Sequence, residues 1–335
     1  MKNLLYIGNK LFSHGLNKTT IETLGPLLEQ EDYSIVYSSS QKNQVLRIFD
    51  MLWCVLKNRN VDYVLIDTYS TSSFWYVFFT SQLCRLLKLK YIPFLHGGNL
   101  PNRLQNNPKI SQVIFKNAYI NVAPSHYLIS KFETFGINNI IFIPNVLEIE
   151  NYPFKKRENL QPKLLWVRSF ATIYNPKMAV DVLLKLKKRY PEASLCMVGP
   201  DKDGSLEVIQ KYASELQIDV KFTGKLSRNE WITLSQDFDV FINTTHFDNT
   251  PVSVMEAMAL GLAIVSTNVG GIPFLVTHNK EAQLVPDSNE DLMVEAIVKI
   301  IEDQVYSQMQ INLARQKAET FDWENVKKLW NNLLK

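Results

Sequence analysis

Short apolar runs alternate with longer stretches of helical periodicity along the whole chain. In the first half the runs are NLLYIG (3–8), YSIVYSS (33–39), VDYVLIDTY (61–69), KYIPFLH (90–96), YINVAPS (119–125) and NIIFIPN (139–145). They are rich in Ile, Val and Tyr and nearly continuous in apolar character, the pattern of strands covered by helices on both faces. Helical segments, for example 44–58 and 74–89, separate them, so the pattern predicts a βαβ series and a doubly wound α/β domain. A polar stretch with two prolines, residues 151–163, reads as an interdomain linker. The alternation then restarts with LLWVRSF (164–170), SLCMVGP (194–200), VKFTGK (220–225), DVFINTT (239–245), LAIVSTN (262–268) and AQLVP (282–286), which predicts a second doubly wound domain. The chain closes on a helix from about Trp323 to Leu334. Asp322 is its expected N-cap, and Phe321 and Val326 are spaced as a hydrophobic staple. Val326, Leu329, Trp330 and Leu333 fall on one face of it, which therefore has to dock on something.

Length changes this picture little, since 335 residues suit two domains. Charge excludes one class of partner. The net value is +3, with 14 Lys and Arg against 10 Asp and Glu in residues 1–150. That excess is too small for nucleic-acid binding but compatible with an anionic membrane surface. Cys54, Cys84 and Cys196 are odd in number, far apart and set among apolar residues, as buried free thiols in a reducing compartment are. The opening MKNLLYIGNK is too short in apolar residues for a signal peptide, and the run from Phe74 is too short to span a bilayer. A cytoplasmic protein is expected. Segments 45–59 and 74–90 mix aromatics with basic residues near their C-terminal ends, which suits an interfacial helix and an ordinary core helix equally.

Ligands of open α/β sheets bind outside the carboxyl ends of the strands, so the residues there carry the chemistry. After DVFINTT come His246, Phe247, Asp248, Asn249, Thr250 and Pro251. Thr250 is the expected N-cap, Pro251 the first helical residue, and Gly261 the C′ residue that ends the helix. The N-terminus of such a helix offers free N–H groups and partial positive charge to an anion such as a diphosphate. Asp248 before the helix and Glu256 within it are carboxylates able to accept hydrogen bonds from paired hydroxyls. By spacing alone they read equally as a surface acid and a helix residue facing water.

The segment from Asp248 to Thr267, DNTPVSVMEAMALGLAIVST, with Val269-Gly270-Gly271-Ile272-Pro273 beyond it, resembles the E-x7-E region of family 4 glycosyltransferases. Weaker similarity spreads over most of the chain. The resemblance implies a GT-B fold: two Rossmann-like domains, 1–150 and 164–320, facing a central crevice. A C-terminal helix (321–335) would return to the first domain. It implies a nucleotide-diphosphate sugar bound mainly by the second domain, retention of anomeric configuration, and no metal or cofactor beyond the co-substrate. Glu256 then resembles the glutamate that binds the donor ribose. Asp248, one methylene shorter than the usual residue, stands where a glutamate binds the donor sugar. The backbone of Asn249, Thr250 and Pro251 would lie against sugar and phosphate. Arg168 resembles the strand-end arginine on the diphosphate, where a cation offsets charge as the nucleotide leaves. Lys177, in the turn opened by Asn175-Pro176, is the candidate partner lysine. His96, before Gly97-Gly98, resembles the histidine that hydrogen-bonds the donor sugar. Gly15 stands in a loop that approaches phosphates in the family, and Gly199 and Lys225 stand in loops that resemble those contacting the base.

Asp201-Lys202-Asp203 forms a D-x-D that reads as a turn rather than a metal site. The resemblance further implies a glycan or glycolipid acceptor in cell-surface polysaccharide synthesis, with peripheral contact at the inner membrane face. Two rival readings on the same architecture are a nucleotide-sugar epimerase and a non-catalytic nucleotide-sugar-binding protein. A dinucleotide oxidoreductase has no support, because GNKLFSHG after the first strand is not G-x-G-x-x-G.

Overall fold

The computed structural model describes residues 2–14 and 18–335. Contacts divide them into two compact units, Met1–Val146 with Trp323–Lys335, and Leu147–Asp322.

The first unit holds one parallel sheet of β1 (Asn3–Ile7), β2 (Ser34–Ser38), β3 (Tyr63–Thr68), β4 (Tyr91–Leu95), β5 (Asn121–Ala123) and β6 (Ile140–Phe142), in the order β2-β1-β3-β4-β5-β6. Each apolar run of the sequence has become a strand. β3 and β4 are buried throughout, which is why they show no polar alternation. The chain leaves β1 to one side for β2 and returns to the other side for β3, so the topological switch point lies between β1 and β3. One core layer joins the sheet to helices Gln44–Lys57 and Phe74–Leu86 through Met51, Val55, Phe74 and Val77. The opposite layer joins it to helix Thr20–Glu29 and to the tail helix Trp323–Leu333, whose Trp323, Val326 and Trp330 are buried there. Trp330 packs edge-on to Phe94 of β4 at 5.4 Å.

The second unit repeats the plan with β7 (Lys163–Val167), β8 (Ser194–Val198), β9 (Lys221–Gly224), β10 (Val240–Asn243), β11 (Ala263–Thr267) and β12 (Gln283–Val285), all parallel, in the order β12-β11-β10-β7-β8-β9. Its switch point lies between β7 and β10. Apolar layers cover both faces of this sheet.

Residues 151–163, expected as a linker, pack into this unit instead. The buried Arg157 guanidinium donates to the carbonyl oxygens of Ser235, Phe238, Leu260 and Gly261, and lies 3.5 Å from Asp239. A buried cation has to find acceptors, and four carbonyls at helix ends, with that of Lys155, supply them. Burial holds its pKa down to about 10. Cys84 and Cys196 are buried and Cys54 is half-buried; all three are free thiols.

Candidate active site

Arg168 follows β7 and Asp248 follows β10, so the two strands that flank the switch point each deliver one charge to its carboxyl end. The residues meet in an ion pair between Arg168 Nη2 and Asp248 Oδ2, and the guanidinium lies 4.9 Å from the centre of the Tyr174 ring. Arg168 Nε is buried without a hydrogen-bond partner. Asp248 Oδ1 accepts from the Asn249 backbone N–H at 2.7 Å.

Glycines set both positions. A Cβ on Gly199 would sit 1.7 Å from the Arg168 carbonyl oxygen, and its φ of +151° suits only glycine comfortably. Gly199 thus lets the end of β8 close against Arg168, whose N–H donates to the Val198 carbonyl at 3.0 Å. A Cβ on Gly270 or Gly271 would meet the carbonyl oxygen of Asp248 at 2.1 Å or of Asn249 at 1.7 Å. The Gly271 N–H donates to the Asp248 carbonyl at 2.8 Å, so the glycine pair is the backbone bed on which the 248–249 loop rests. Beneath it a buried polar belt fixes the strand ends: Trp166 Nε1 donates to Thr244 Oγ1 at 3.0 Å, Asn243 Nδ2 to Ser266 Oγ at 2.9 Å, and Thr267 Oγ1 to the Thr245 carbonyl at 2.6 Å.

The helix after this loop runs Val252–Ala259, one residue later than expected. Pro251, with ψ of 108°, is extended and occupies the N-cap position, and Thr250 is not the cap. Capping therefore takes no side-chain hydroxyl, and Thr250 Oγ1 and Ser253 Oγ are buried with no hydrogen-bond partner. The first N–H groups of the helix have no intrahelical acceptor. The helix ends as the sequence suggests, at Gly261 in the left-handed region with φ of +74°.

Glu256 is buried on the second turn. Its Oε1 accepts from Tyr152 Oη at 2.6 Å, and Arg228 Nε lies 4.0 Å from the same oxygen. Arg228 Nη1 also lies 3.6 Å from Glu148 Oε2. Burial raises the Glu256 pKa, while the Tyr152 hydrogen bond and the charges of Arg228 and Arg168 oppose that rise. Tyr152, Arg228 and Glu148 escape a sequence reading: Tyr152 lies in the stretch read as linker, and Arg228 opens helix Arg228–Leu234 without a distinguishing motif.

Lys177 pairs with Asp181 at 2.8 Å along its own helix and covers the Tyr212 ring at 4.4 Å, as a lysine on an exposed helix face does. Asn175 does cap that helix, accepting from the Met178 N–H at 3.3 Å. Lys225 is exposed in the turn after β9. The D-x-D is a turn: Asp203 accepts from the N–H and hydroxyl of Thr172 and from Ser205, and Asp201 accepts from the N–H groups of Lys202 and Leu206. Those donors, Ser205 foremost, hold the Asp203 pKa down at about 2.

In the first unit the charged centre also falls at a switch point. Asp67, near the end of β3, is fully buried. Its Oδ1 faces His96 Nε2 at 2.9 Å and accepts from Tyr6 Oη of β1 at 3.0 Å; its Oδ2 accepts from the Ile21 N–H at 3.2 Å. Ile21 lies in the first turn of helix Thr20–Glu29, so the positive end of that helix faces the carboxylate of Asp67. His96 Nδ1 faces Thr20 Oγ1 at 3.4 Å, and its ring packs against Phe94 and Tyr69. Burial first, and then the Asp67 charge, push the Tyr6 pKa well above its ordinary value, so Tyr6 remains a donor. Asp67 went unnoticed in the sequence, although it is the one carboxylate within strand β3. Gly15 lies outside the described residues.

Two parallel six-stranded sheets, each flanked by helices and each with charged groups at its switch point, make this a GT-B protein. Anabaena HepE in complex with UDP-glucose superposes with a TM-score of 0.79 at 16% identity, over 100% of this chain and 99% of that one. The family described as "Glycosyl transferases group 1" matches residues 148–317, and the chain belongs to it. Among curated relatives, glycogen synthase of Mycobacterium tuberculosis is 23% identical over 194 residues, which are 57% of this chain and 47% of that protein. Phosphatidyl-myo-inositol mannosyltransferase of Mycolicibacterium smegmatis is 24% identical over 157 residues, 45% of this chain and 40% of that protein. The chain thus spans about half the length of the curated relatives it matches.

Proposed function

We propose that the protein is a retaining glycosyltransferase that moves a hexose from a nucleotide-diphosphate sugar to a glycan or lipid-linked acceptor. The observation that carries the donor site is the meeting of Arg168 and Asp248 at the switch point of the second sheet, beside the start of helix Val252–Ala259 and the buried Glu256. A diphosphate suits the helix N-terminus, the unpaired Arg168 Nε and the hydroxyls of Thr250 and Ser253. Arg168 offsets the charge that grows on the nucleotide as the glycosidic bond breaks. Asp248 accepts from hydroxyls of the sugar, and Glu256 takes the ribose diol. In the first unit Asp67 orients His96 through the contact of Oδ1 with Nε2. Asp201 and Asp203 accept hydrogen bonds within their own turn, and the proposed transfer needs no metal, which the EDTA arm below tests.

The complex of HepE with UDP-glucose makes uridine nucleotides the first donors to try. The name of the mycolicibacterial relative, a phosphatidyl-myo-inositol mannosyltransferase, supports a lipid-borne acceptor. Synthesis of surface polysaccharide at the cytoplasmic face of a membrane is the corresponding setting.

The test is nucleotide release from a panel of nucleotide sugars with a glycolipid extract as acceptor, with and without EDTA. Acceptor-dependent release that survives EDTA and collapses in Glu256→Ala is expected. Donor turnover without any acceptor would point to an epimerase, and donor binding without turnover to a non-catalytic binder; either would overturn the transferase.

A further inference from the structure

Helix Gln44–Lys57 turns Arg47, Met51 and Val55 inward. Its outward residues are not polar. Val45, Leu46, Phe49, Trp53 and Leu56 fall within an arc of about 100° on the opposite side, and Phe49 and Trp53 are 65% and 68% exposed. The neighbouring helix Phe74–Leu86 adds Trp75, Phe79 and Leu86, again on one face and exposed. The two helices pack against each other on one side of the first sheet. An amphipathic helix normally turns its polar face to water. Here large aromatics stand in water on two adjacent helices, and such a surface marks an interaction site.

Charge identifies the occupant. From Thr68 to Phe132 the sequence contains no Asp or Glu, while it contains seven Lys and Arg. Lys57 and Arg59 at the end of the first helix, and Arg85 and Lys88 at the end of the second, are exposed. Asp50 is the acid on either helix, and it accepts from Ser38 Oγ at 3.1 Å rather than pairing with these cations. A second copy of the chain docking face to face would set these like charges against one another. Apolar side chains ringed by unpaired cations suit a surface with a hydrocarbon interior and anionic headgroups. No helix among the described residues is long and apolar enough to cross a membrane, so the contact would lie at the surface.

We propose that the outer face of helices Gln44–Lys57 and Phe74–Leu86 docks on an anionic lipid bilayer, inserting Phe49, Trp53, Trp75 and Phe79 at the headgroup level. This rests on the lipid-borne acceptor for its purpose and not for the binding itself. The full chain should co-sediment with vesicles of phosphatidylcholine mixed with phosphatidylglycerol, more weakly as salt rises, and far less with phosphatidylcholine alone. The double variant Phe49→Ser/Trp53→Ser should lose roughly tenfold or more in partitioning, and Lys57→Glu/Arg59→Glu should lose the preference for anionic lipid. Both side chains of the first pair are already in water, so folding is expected to hold, and nucleotide affinity of the same sample should be unchanged. Absence of wild-type binding to anionic vesicles, or equal binding by the Ser variant, would overturn the proposal. So would a concentration-dependent dimer that the Ser variant abolishes, which would assign the face to a second copy. The vesicle readout and the nucleotide readout are separate, so failure of one does not decide the other.

Discussion

Replacing Tyr152 by Phe removes one oxygen and keeps the ring that fills the core beside Glu256. The lost contact is a 2.6 Å hydrogen bond from the Tyr152 hydroxyl to Glu256 Oε1. Hydrogen bonds to a charged group are worth about 1.5–3 kcal/mol, and 1.36 kcal/mol corresponds to about one pKa unit. If the bond is made chiefly to the ionised form, its loss raises the Glu256 pKa by roughly one to two units. The sign follows from the environment. Burial already holds this pKa above the ordinary glutamate value, and Tyr152, Arg228 and Arg168 hold it down against burial. Glu148 shares Arg228 and so weakens that help. On the proposed role, Glu256 accepts from a ribose diol and so binds donor best when ionised. Donor affinity should therefore fall as pH drops through the raised pKa. In Tyr152→Phe the fall should begin roughly one to two pH units higher, with roughly a tenfold weaker Kd per unit below it. At high pH the variant and the wild type should converge. Calorimetric titration of nucleoside diphosphate across roughly pH 5 to 9 reads this directly, with Glu256→Gln as the flat reference. Superimposable profiles, or an equal loss at every pH, would refute the reasoning.

Gly271→Ala places a Cβ where the Asn249 carbonyl oxygen stands, so the 248–249 loop has to move; donor affinity should fall roughly tenfold or more while far-UV circular dichroism is retained. Arg157→Met leaves five carbonyls without their donor and should cost about 3 kcal/mol or more, measured by urea unfolding. Asp67→Asn removes the carboxylate that orients His96 and faces the Thr20–Glu29 helix end; kcat should drop with little change in nucleotide Kd, as steady-state kinetics and titration together would show. Asp203→Asn should leave EDTA-treated and untreated activity equal to each other.

The fold was legible because parallel strands covered on both faces must be apolar throughout, and each apolar run of the sequence is a strand in one of the two sheets. Arg168 and Asp248 could be placed from sequence for a related reason, since each lies just past a strand of such a sheet, and Glu256 follows on the next helix. What supports them was not. Tyr152 and Arg157 lie in a polar, proline-containing stretch, and local composition cannot show that a buried arginine finds four carbonyls at helix ends far along the sequence. Gly270 and Gly271 stood out as a pair, but their partner, the backbone of Asp248 and Asn249, is defined only by the packing of one loop on the other. The helix start slipped by one residue because Thr250-Pro251 satisfies the preferences for N-cap and first turn, while Pro251 is held extended. Lys177 was chosen as the lysine in the helix turn opened by Asn175-Pro176, and its own helix offers it Asp181 one turn on.

The central claim is that the charges meeting at the switch point of the second sheet hold a nucleotide diphosphate. Titrating nucleoside diphosphates into wild type, Arg168→Ala and Glu256→Ala tests it most directly. Saturable binding of at least one diphosphate, weakened roughly tenfold or more by either substitution, is the result predicted. Binding that both variants retain unchanged would place the nucleotide elsewhere and contradict the account.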